Sequence, residues 1–209
     1  MGQQPLRQQV HVTRVTLIVV SNDPTSRWLV VSVRLPGDPS RHRVAVWREL
    51  RRLGAMPVGS GVWAMPATPL FLDGLDRVRA LVDRGNGRVV ALDGRARDGN
   101  SEATLVAEFN AARAAEWAEF VAECDKFDAE IAKERRIGKF TLAELDEEEQ
   151  SLERLRRWWR ELKTRDVFAA VANTPAGERL EHCVKVLDAY SEDVYRAVHA
   201  PLDEETDHA

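Results

Sequence analysis

The stretch WLVVSVRLPGDPSRHRVAVWRELRRLGAMPVGSGVWAMP, residues 28–66, decides the fold. It opens with WLVVSVRL, whose β-branched and aromatic residues predict a strand, and Pro36-Gly37 ends that strand. In the following RHRVAVWRELRRLG, four apolar residues fall within one arc of a helical wheel: Val46, Trp47, Leu50 and Leu53. Because Gly54 suits the C-cap position, this segment predicts an amphipathic helix that ends there.

Three further elements complete this half of the chain. The apolar pieces AMPV and VWAMP are separated by Gly59-Ser60-Gly61, which predicts a hairpin. A second helix is predicted from about Pro69 to Asp83, before Gly85-Asn86-Gly87, and the strand RVVALDG follows. The order strand, helix, hairpin, helix, strand is the ferredoxin-like βαββαβ order. We therefore predict an α+β fold in which both helices cover one face of a four-stranded antiparallel sheet.

Beyond Asn100 the sequence pattern becomes helical. Apolar residues recur at alternating spacings of three and four, at Trp117, Phe120, Cys124, Phe127 and Ile131. Gly138 ends this helix, Thr141 with Glu144 forms a capping box for a second one, and Thr174-Pro175 predicts the start of a third. A bundle of about three helices is therefore expected after the ferredoxin-like module.

These patterns divide the chain into four parts. Residues 1–27 form an extension whose stretch HVTRVTLIVV is either an added strand or a segment ordered only by a partner. Residues 28–100 form the ferredoxin-like module, residues 101–200 a helical domain, and residues 201–209 an acidic tail.

Charge is distributed unevenly over the 209 residues, whose formal net charge is only -4. From Arg27 to Asn100 there are 13 Arg or Lys and 7 Asp or Glu, so the first module is basic, whereas the later parts are acidic. The longest apolar run, Val15 to Val20, is far shorter than the roughly 20 residues that a membrane-spanning helix needs. The N-terminus also lacks the order of a secretory signal, so we expect a cytoplasmic protein without a membrane span.

Basic residues suggest one binding surface on the first helix. Arg41, Arg48 and Arg52 lie together on the helical wheel, and Arg43 and Arg51 flank them. The guanidinium fork matches phosphate oxygens, and counterion release favours association, so these five residues are candidates for nucleic-acid or oxyanion binding. The alternative is a solvated helix face in a chain that uses Arg far more than Lys.

A second basic cluster lies late in the predicted helix after Gly138. It surrounds Trp158 and Trp159, and acidic residues precede it, an order that complements the helix dipole and stabilises the helix. The alternative is that the exposed one of the two tryptophans marks a partner surface, formed by Arg157, Trp158 and Arg160.

Catalytic and cofactor motifs are not found in the sequence. The two cysteines, Cys124 and Cys183, give no disulfide framework or zinc spacing and are interpreted as small core residues. The five histidines have no carboxylate or thiol at a recurrent ligand spacing, and no nucleophile elbow, Walker loop, dinucleotide-binding motif or zincin motif occurs. We expect no enzymatic activity, no metal and no cofactor.

Residues 28–66 and the later GKFTLAELDEEEQSLERLRRWWRELKTRDVF together resemble the N-terminal region of the ChrB family. The sequence motifs that carry the resemblance are R-x-x-VWR-x-L-R-x-LGA and GKFT-x-AEL, and the similarity extends from about Trp28 to Ala200. The resemblance implies a bacterial cytosolic regulator of chromate-resistance genes that acts on promoter DNA and responds to chromate. Family members commonly carry a further C-terminal domain, so the resemblance leaves open whether this chain senses chromate by itself.

The module is more distantly similar to the Cas2-like module of PaaX-type transcriptional repressors. The Cas2 nucleases place an Asp at the end of the first strand, whereas Arg34 stands there in this chain. The likeness in fold therefore does not carry the nuclease activity.

Two hypotheses follow. In the first, the chain is a transcriptional regulator or regulatory module that binds promoter DNA through Arg41, Arg48 and Arg52, while its helical half forms a homodimer. In the second, it is a protein-interaction module of a chromate-resistance system whose tryptophan-bearing helices bind another polypeptide and never DNA.

Overall fold

The computed structural model describes residues 27–169 and 175–199. In chain order the elements are β1 (Trp28–Arg34), α1 (Ser40–Leu53), β2 (Met56–Gly59), β3 (Val62–Pro66), α2 (Pro69–Arg84), β4 (Arg88–Gly94), α3 (Gly99–Ile137), α4 (Leu142–Arg165) and α5 (Ala176–Val198). The predicted α+β class is confirmed, with the sheet in the first half and three helices after it.

The four strands form one antiparallel sheet in the order β2-β3-β1-β4. The central strand β1 pairs with β3 from Trp28↔Pro66 to Ser32↔Val62, and with β4 from Trp28↔Gly94 to Arg34↔Arg88. This is the ferredoxin-like order, in which the hairpin β2–β3 and the last strand flank the first. The predicted βαββαβ topology is therefore confirmed.

The first core lies on both faces of the sheet. On one face, Val31 and Met65 are buried beneath α1 and α2, which contribute Leu50 and Phe71. On the opposite face Trp28 packs against Phe109 of α3, with ring centroids 6.2 Å apart, and both rings contact Phe168 beyond α4. Phe109 also contacts Phe71 at 6.2 Å, so the two sides of the core meet at this end of the sheet. The first turns of α3 thus belong to the core of the ferredoxin-like module.

The second core lies among the three long helices. Phe120, Cys124, Phe127 and Ile131 of α3 pack against α4 and α5, as their spacing predicts. Tyr190 of α5 is fully buried, and its hydroxyl donates to the Lys139 carbonyl at 2.6 Å.

The turn between α3 and α4 follows the sequence prediction in part, because only one of the two hydrogen bonds of the predicted capping box forms among the described residues. Gly138 ends α3 in the left-handed region at φ 68°, and the Thr141 hydroxyl accepts a hydrogen bond from the Glu144 N–H at 3.3 Å. The Glu144 carboxylate pairs with Lys139 Nζ at 2.6 Å. The third helix starts one residue later than predicted, since Ala176 is its first residue and Pro175 precedes it.

Some sequence predictions lie outside the described residues. These are the strand in residues 1–26, the cap at Thr174 and the acidic tail in residues 201–209. Among the described helices, none has the length and apolar character needed to cross a bilayer.

Candidate anion-binding surface

Four arginines of α1 face solvent: Arg41, Arg43, Arg48 and Arg51. They take this position because Val46, Leu50 and Leu53 bury the opposite side of the helix against the sheet. Within residues 27–169 and 175–199, none of these four guanidinium groups pairs with a carboxylate. The first turn of α1 also contains no acidic residue, so the partial positive charge of the helix N-terminus adds to Arg41 and Arg43. We call these four residues the α1 arginines.

Arg52 differs from the α1 arginines because Glu49 binds it. Its Nε donates to Glu49 Oε2 at 2.9 Å and its Nη2 to Oε1 at 2.6 Å. Arg77 of α2 reaches the same carboxylate at 3.0 Å, and these partners, Arg52 foremost, hold the pKa of Glu49 below its ordinary value. Arg52 therefore has less free charge for a ligand than the sequence prediction implies.

The prediction that Trp47 belongs to the core face of α1 is wrong. Its side chain is 51% exposed, and the Arg51 guanidinium lies 5.4 Å from its ring centroid. Trp47 follows Val46 by one residue, which turns it by about 100° on the helix and away from the sheet. It lines an apolar groove of about 400 Å³ together with Leu35 and Trp63.

Arginines of α2 and α4 lie close to Arg52 at the end of α1 and form a second basic surface. Arg157 and Arg160 of α4 lie beside Arg52 and Arg77, and together with Arg165 they line a groove of about 300 Å³. We call these five residues the arginine groove. One carboxylate, Glu161, also lines it, and Arg160 pairs with Glu153 at 3.0 Å. The arrangement concentrates positive charge where α1, α2 and α4 meet, which suits a small anion.

Two buried arginines fix α4 and α3 against the end of α1. Arg113 is 3% exposed and its Nη1 donates to the Gly54 carbonyl at 2.8 Å. Arg165 Nη1 donates to the Arg52 carbonyl at 2.9 Å, and Glu116 accepts from both side chains, at 3.0 and 3.1 Å. Burial lowers the pKa of Arg113, and the charge of Glu116 partly opposes that effect. These contacts satisfy the carbonyls at the C-terminus of α1 and position the arginine groove.

The sequence analysis identified arginines of α1 and α4 as candidate binding residues, but it did not predict that Arg52 and Arg157 lie close together. Arg52 and Arg157 are separated by 105 residues of chain, so no local pattern relates them. The signal available was the spacing of Arg157, Arg160 and Thr164, which places three residues that line the groove on one face of α4. No sequence pattern indicated that Arg113 and Glu116 are buried, because an isolated ion pair on a long helix is usually solvated.

The predicted partner surface is partly buried. Trp158 packs edge-on against Phe120 in the second core at a centroid distance of 5.5 Å, whereas Arg157 and Arg160 are exposed. Trp159 is also partly buried and carries Lys163 over its ring at 4.8 Å. The arginines of this set therefore face the groove, while the tryptophan mainly stabilises the bundle.

The cysteines and histidines form no metal centre in the part of the chain that the structure describes. Cys124 and Cys183 are fully buried, as expected of core residues, and Cys183 Sγ lies 3.6 Å from the Cys124 carbonyl oxygen. His182 Nε2 lies 3.3 Å from Asp128 Oδ2, which also binds Arg179 at 2.5 Å. This cluster ties α3 to α5.

Comparison with known proteins places these features in a family. The family model described as "Protein ChrB, N-terminal" matches residues 43–201, more than half of the chain. The chain is also 30% identical over 102 residues to Protein ChrB of Cupriavidus metallidurans, an alignment that covers 49% of this chain and 31% of that protein. The aligned part thus spans about a third of the curated relative. The match begins at Arg43 within α1 and includes the arginine groove and all three long helices, whereas Arg41 precedes it.

Proposed function

The chain belongs to the ChrB N-terminal family, and on this premise we propose that it is a DNA-binding transcriptional regulator, or the regulatory module of one, in chromate resistance. The observation that carries the proposal is the set of α1 arginines, exposed and unpaired among the described residues on one helix of a basic module. Family membership supports the regulatory role, and the charge supports DNA as the partner. The proposed location is the cytoplasm.

The α1 arginines have the chemistry that phosphate binding requires. A guanidinium group donates two parallel hydrogen bonds to phosphate oxygens and keeps its charge at any physiological pH. The 14 residues of α1 extend over about 21 Å, enough to follow several phosphates of a duplex. Because the four side chains make no ion pair with the described carboxylates, binding DNA would break none.

The arginine groove supports an oxyanion effector for the same regulator. Chromate is a tetrahedral dianion, and a dianion in this groove would contact α1 through Arg52 and α4 through Arg157 and Arg160. Occupancy would therefore change the electrostatic surroundings of the helix that carries the α1 arginines. In this proposal chromate binding and DNA binding are linked.

Fluorescence anisotropy with the chain's own upstream DNA and a scrambled duplex tests the DNA proposal. We expect tighter binding to the upstream DNA and steep weakening with salt. The salt slope should decrease by about 0.9 for each phosphate that Arg41→Ala or Arg48→Ala no longer neutralises. Arg79→Ala is the matched control, because Arg79 is a half-exposed arginine of α2 paired with Asp76 at 3.1 Å. Absent or salt-independent binding would refute DNA as the partner.

The effector is tested in the same assay with chromate, and with sulfate as a second tetrahedral dianion. Chromate is expected to weaken DNA binding by the wild-type chain but not by Arg157→Ala or Arg160→Ala. An equal effect of chromate on wild type and both variants would exclude the arginine groove as its site.

A protein-interaction module is the second candidate, and exposed apolar surface favours it. Trp47 and Val44 are 51% and 43% exposed beside the apolar groove of α1, and Leu92 is 62% exposed on the sheet.

A homodimer through the helical half is a separate proposal. Sedimentation of the purified chain measures self-association and tests the homodimer. For the protein-partner candidate, a Trp47→Ser variant that loses a co-purifying polypeptide but keeps DNA binding would assign the exposed apolar surface around Trp47 to a protein partner.

A further inference from the structure

A cleft of about 610 Å³ lies between α3 and α4, apart from the α1 arginines and the arginine groove. Six carboxylates line it: Glu123, Glu130 and Glu134 from α3, and Glu144, Glu147 and Glu148 from α4. We call it the acidic cleft. Three cationic side chains also line it, Lys126, Lys139 and Arg154, so its lining has an excess of negative charge.

Glu134 has a carboxylate oxygen without a partner in this cleft. The residue is 3% exposed, and its Oε2 is buried without a hydrogen bond of good geometry, although the Tyr190 hydroxyl and the Glu144 carboxyl group lie close enough to influence the Glu134 carboxyl group. Its Oε1 lies 3.9 Å from Lys139 Nζ, which is too long for a hydrogen bond. A buried, unpaired carboxylate oxygen is costly, and a cationic donor entering the cleft would satisfy it.

Glu148 adds a second buried carboxyl group to the cleft wall. It is 6% exposed, and within the described ranges it makes no ion pair. Burial first, and then the charges of Glu134 and Glu130, raise its pKa to about 7. The protein thus holds carboxyl groups close together, and Lys139, whose Nζ lies 3.9 Å from Glu134 Oε1, only partly offsets their charge.

The cations of the cleft already have partners, and two of these partners are carboxylates of the cleft itself. Lys126 pairs with Glu123, Lys139 binds Glu144 at 2.6 Å, and Arg154 Nη2 donates to the Ser151 hydroxyl at 2.8 Å. Glu134, Glu147 and Glu148 therefore remain as a carboxylate group that no lining cation neutralises at hydrogen-bonding distance.

We propose that the acidic cleft is a binding site for an aliphatic polyamine. Carboxylates line α3 from Glu123 to Glu134, eleven residues that extend over about 16 Å, which suits several ammonium groups spaced along a chain better than a single ion. Phe127 and Trp158 also line the cleft and supply apolar surface for the methylene groups of such a chain. The volume is that of a small-molecule site.

Isothermal titration of the DNA-free chain with spermidine tests the proposal, at constant ionic strength. We expect binding that falls by about tenfold or more in Glu134→Gln and in Glu147→Gln, because each variant removes a charge-assisted hydrogen bond. Glu147 is exposed, so its variant retains the fold even if replacement of buried Glu134 disturbs it. Glu149→Gln, an exposed acidic residue of α4 outside the cleft, is expected to bind like wild type.

Three results would overturn the proposal. The first is the absence of spermidine binding to the wild-type chain at millimolar concentration. The second is an equal loss in Glu149→Gln, which would indicate general screening of an acidic helix. The third is Mg²⁺ binding that competes with spermidine and depends on the same glutamates with equal affinity, which would reassign the cleft to metal cations.

Discussion

Glu148 gives the sharpest prediction about stability and pH. Its folded-state pKa of about 7 stands above its ordinary value of 4.5, so the folded chain holds a proton that the unfolded chain releases. Below about pH 4.5 the Glu148 carboxyl group is neutral in both the folded and the unfolded state, so its ionisation does not change the unfolding free energy. As pH rises from about 4.5 to about 7 the unfolded state gains by ionising, and the folded state loses stability relative to it.

The interval of about 2.5 pH units corresponds to an upper limit of about 3.4 kcal/mol. The groups facing Glu148 are Glu130 and Glu134 from α3, Glu144 and Glu147 from α4, and Lys139 between the helices, with Tyr190 of α5 beyond Glu134. Because the acidic cleft opens to water and contains cations, we expect about 1–2 kcal/mol instead of the upper limit.

Glu148→Gln removes this titration while keeping the shape of the side chain. The measured quantity is the unfolding free energy of the variant minus that of wild type. We expect this difference to be about 1–2 kcal/mol larger at pH 8 than at pH 4.5. Urea denaturation followed by circular dichroism at both pH values measures this difference, with Glu149→Gln as the exposed control. A difference between variant and wild type that is the same at both pH values, or larger at pH 4.5, would refute the reasoning.

Three further predictions concern the buried contact between α1 and α3 and the hydrogen bond of α5 to the α3–α4 turn, and urea denaturation measures each. Arg113→Ala leaves Glu116 and the Gly54 carbonyl without this donor and should cost about 3–5 kcal/mol, whereas exposed Arg136→Ala should change stability by less than about 0.5 kcal/mol. Gly54→Ala should cost more than about 1 kcal/mol, because Gly54 has φ 89° and a Cβ there would collide with Arg113 Nη1; an unchanged midpoint would contradict this account. Tyr190→Phe removes the donor to the Lys139 carbonyl and should cost about 1–2 kcal/mol, and a neutral result would mean that water replaces the hydroxyl.

The elements of the fold were predictable because their signals are local. The run WLVVSVRL, the glycines between β2 and β3, and the apolar spacing from Trp117 to Ile131 each report the backbone conformation of a few neighbouring residues. Trp47 was misplaced because it lies at the edge of the predicted apolar arc. Val46 and Leu50 are buried, whereas Trp47, about 100° from Val46 and about 60° from Leu50 around the helix, faces away from the sheet.

The candidate site was only partly predictable because it depends on contacts between distant segments. The α1 arginines could be found from one helix. The arginine groove could not, because Arg52 and Arg157 meet only when Arg113, Glu116 and Arg165 fix the relative position of α1, α3 and α4. The acidic cleft was equally hidden, since the short acidic run of α4 is typical of a solvated helix until the burial of Glu134 and Glu148 is known.

The continuous helix α3 carries residues of both cores, from Phe109 in the first to Ile131 in the second. Phe109 is fully buried, whereas Ile137 at the far end is 59% exposed. The 28 residues between them extend over about 42 Å, so a tilt of about 5° at Phe109 would displace Ile137 by about 4 Å. Because Phe120, Cys124, Phe127 and Ile131 are packed into the second core, a tilt of α3 at Phe109 would have to carry α4 and α5 with it, so the sheet and the helical bundle are mechanically connected through one helix.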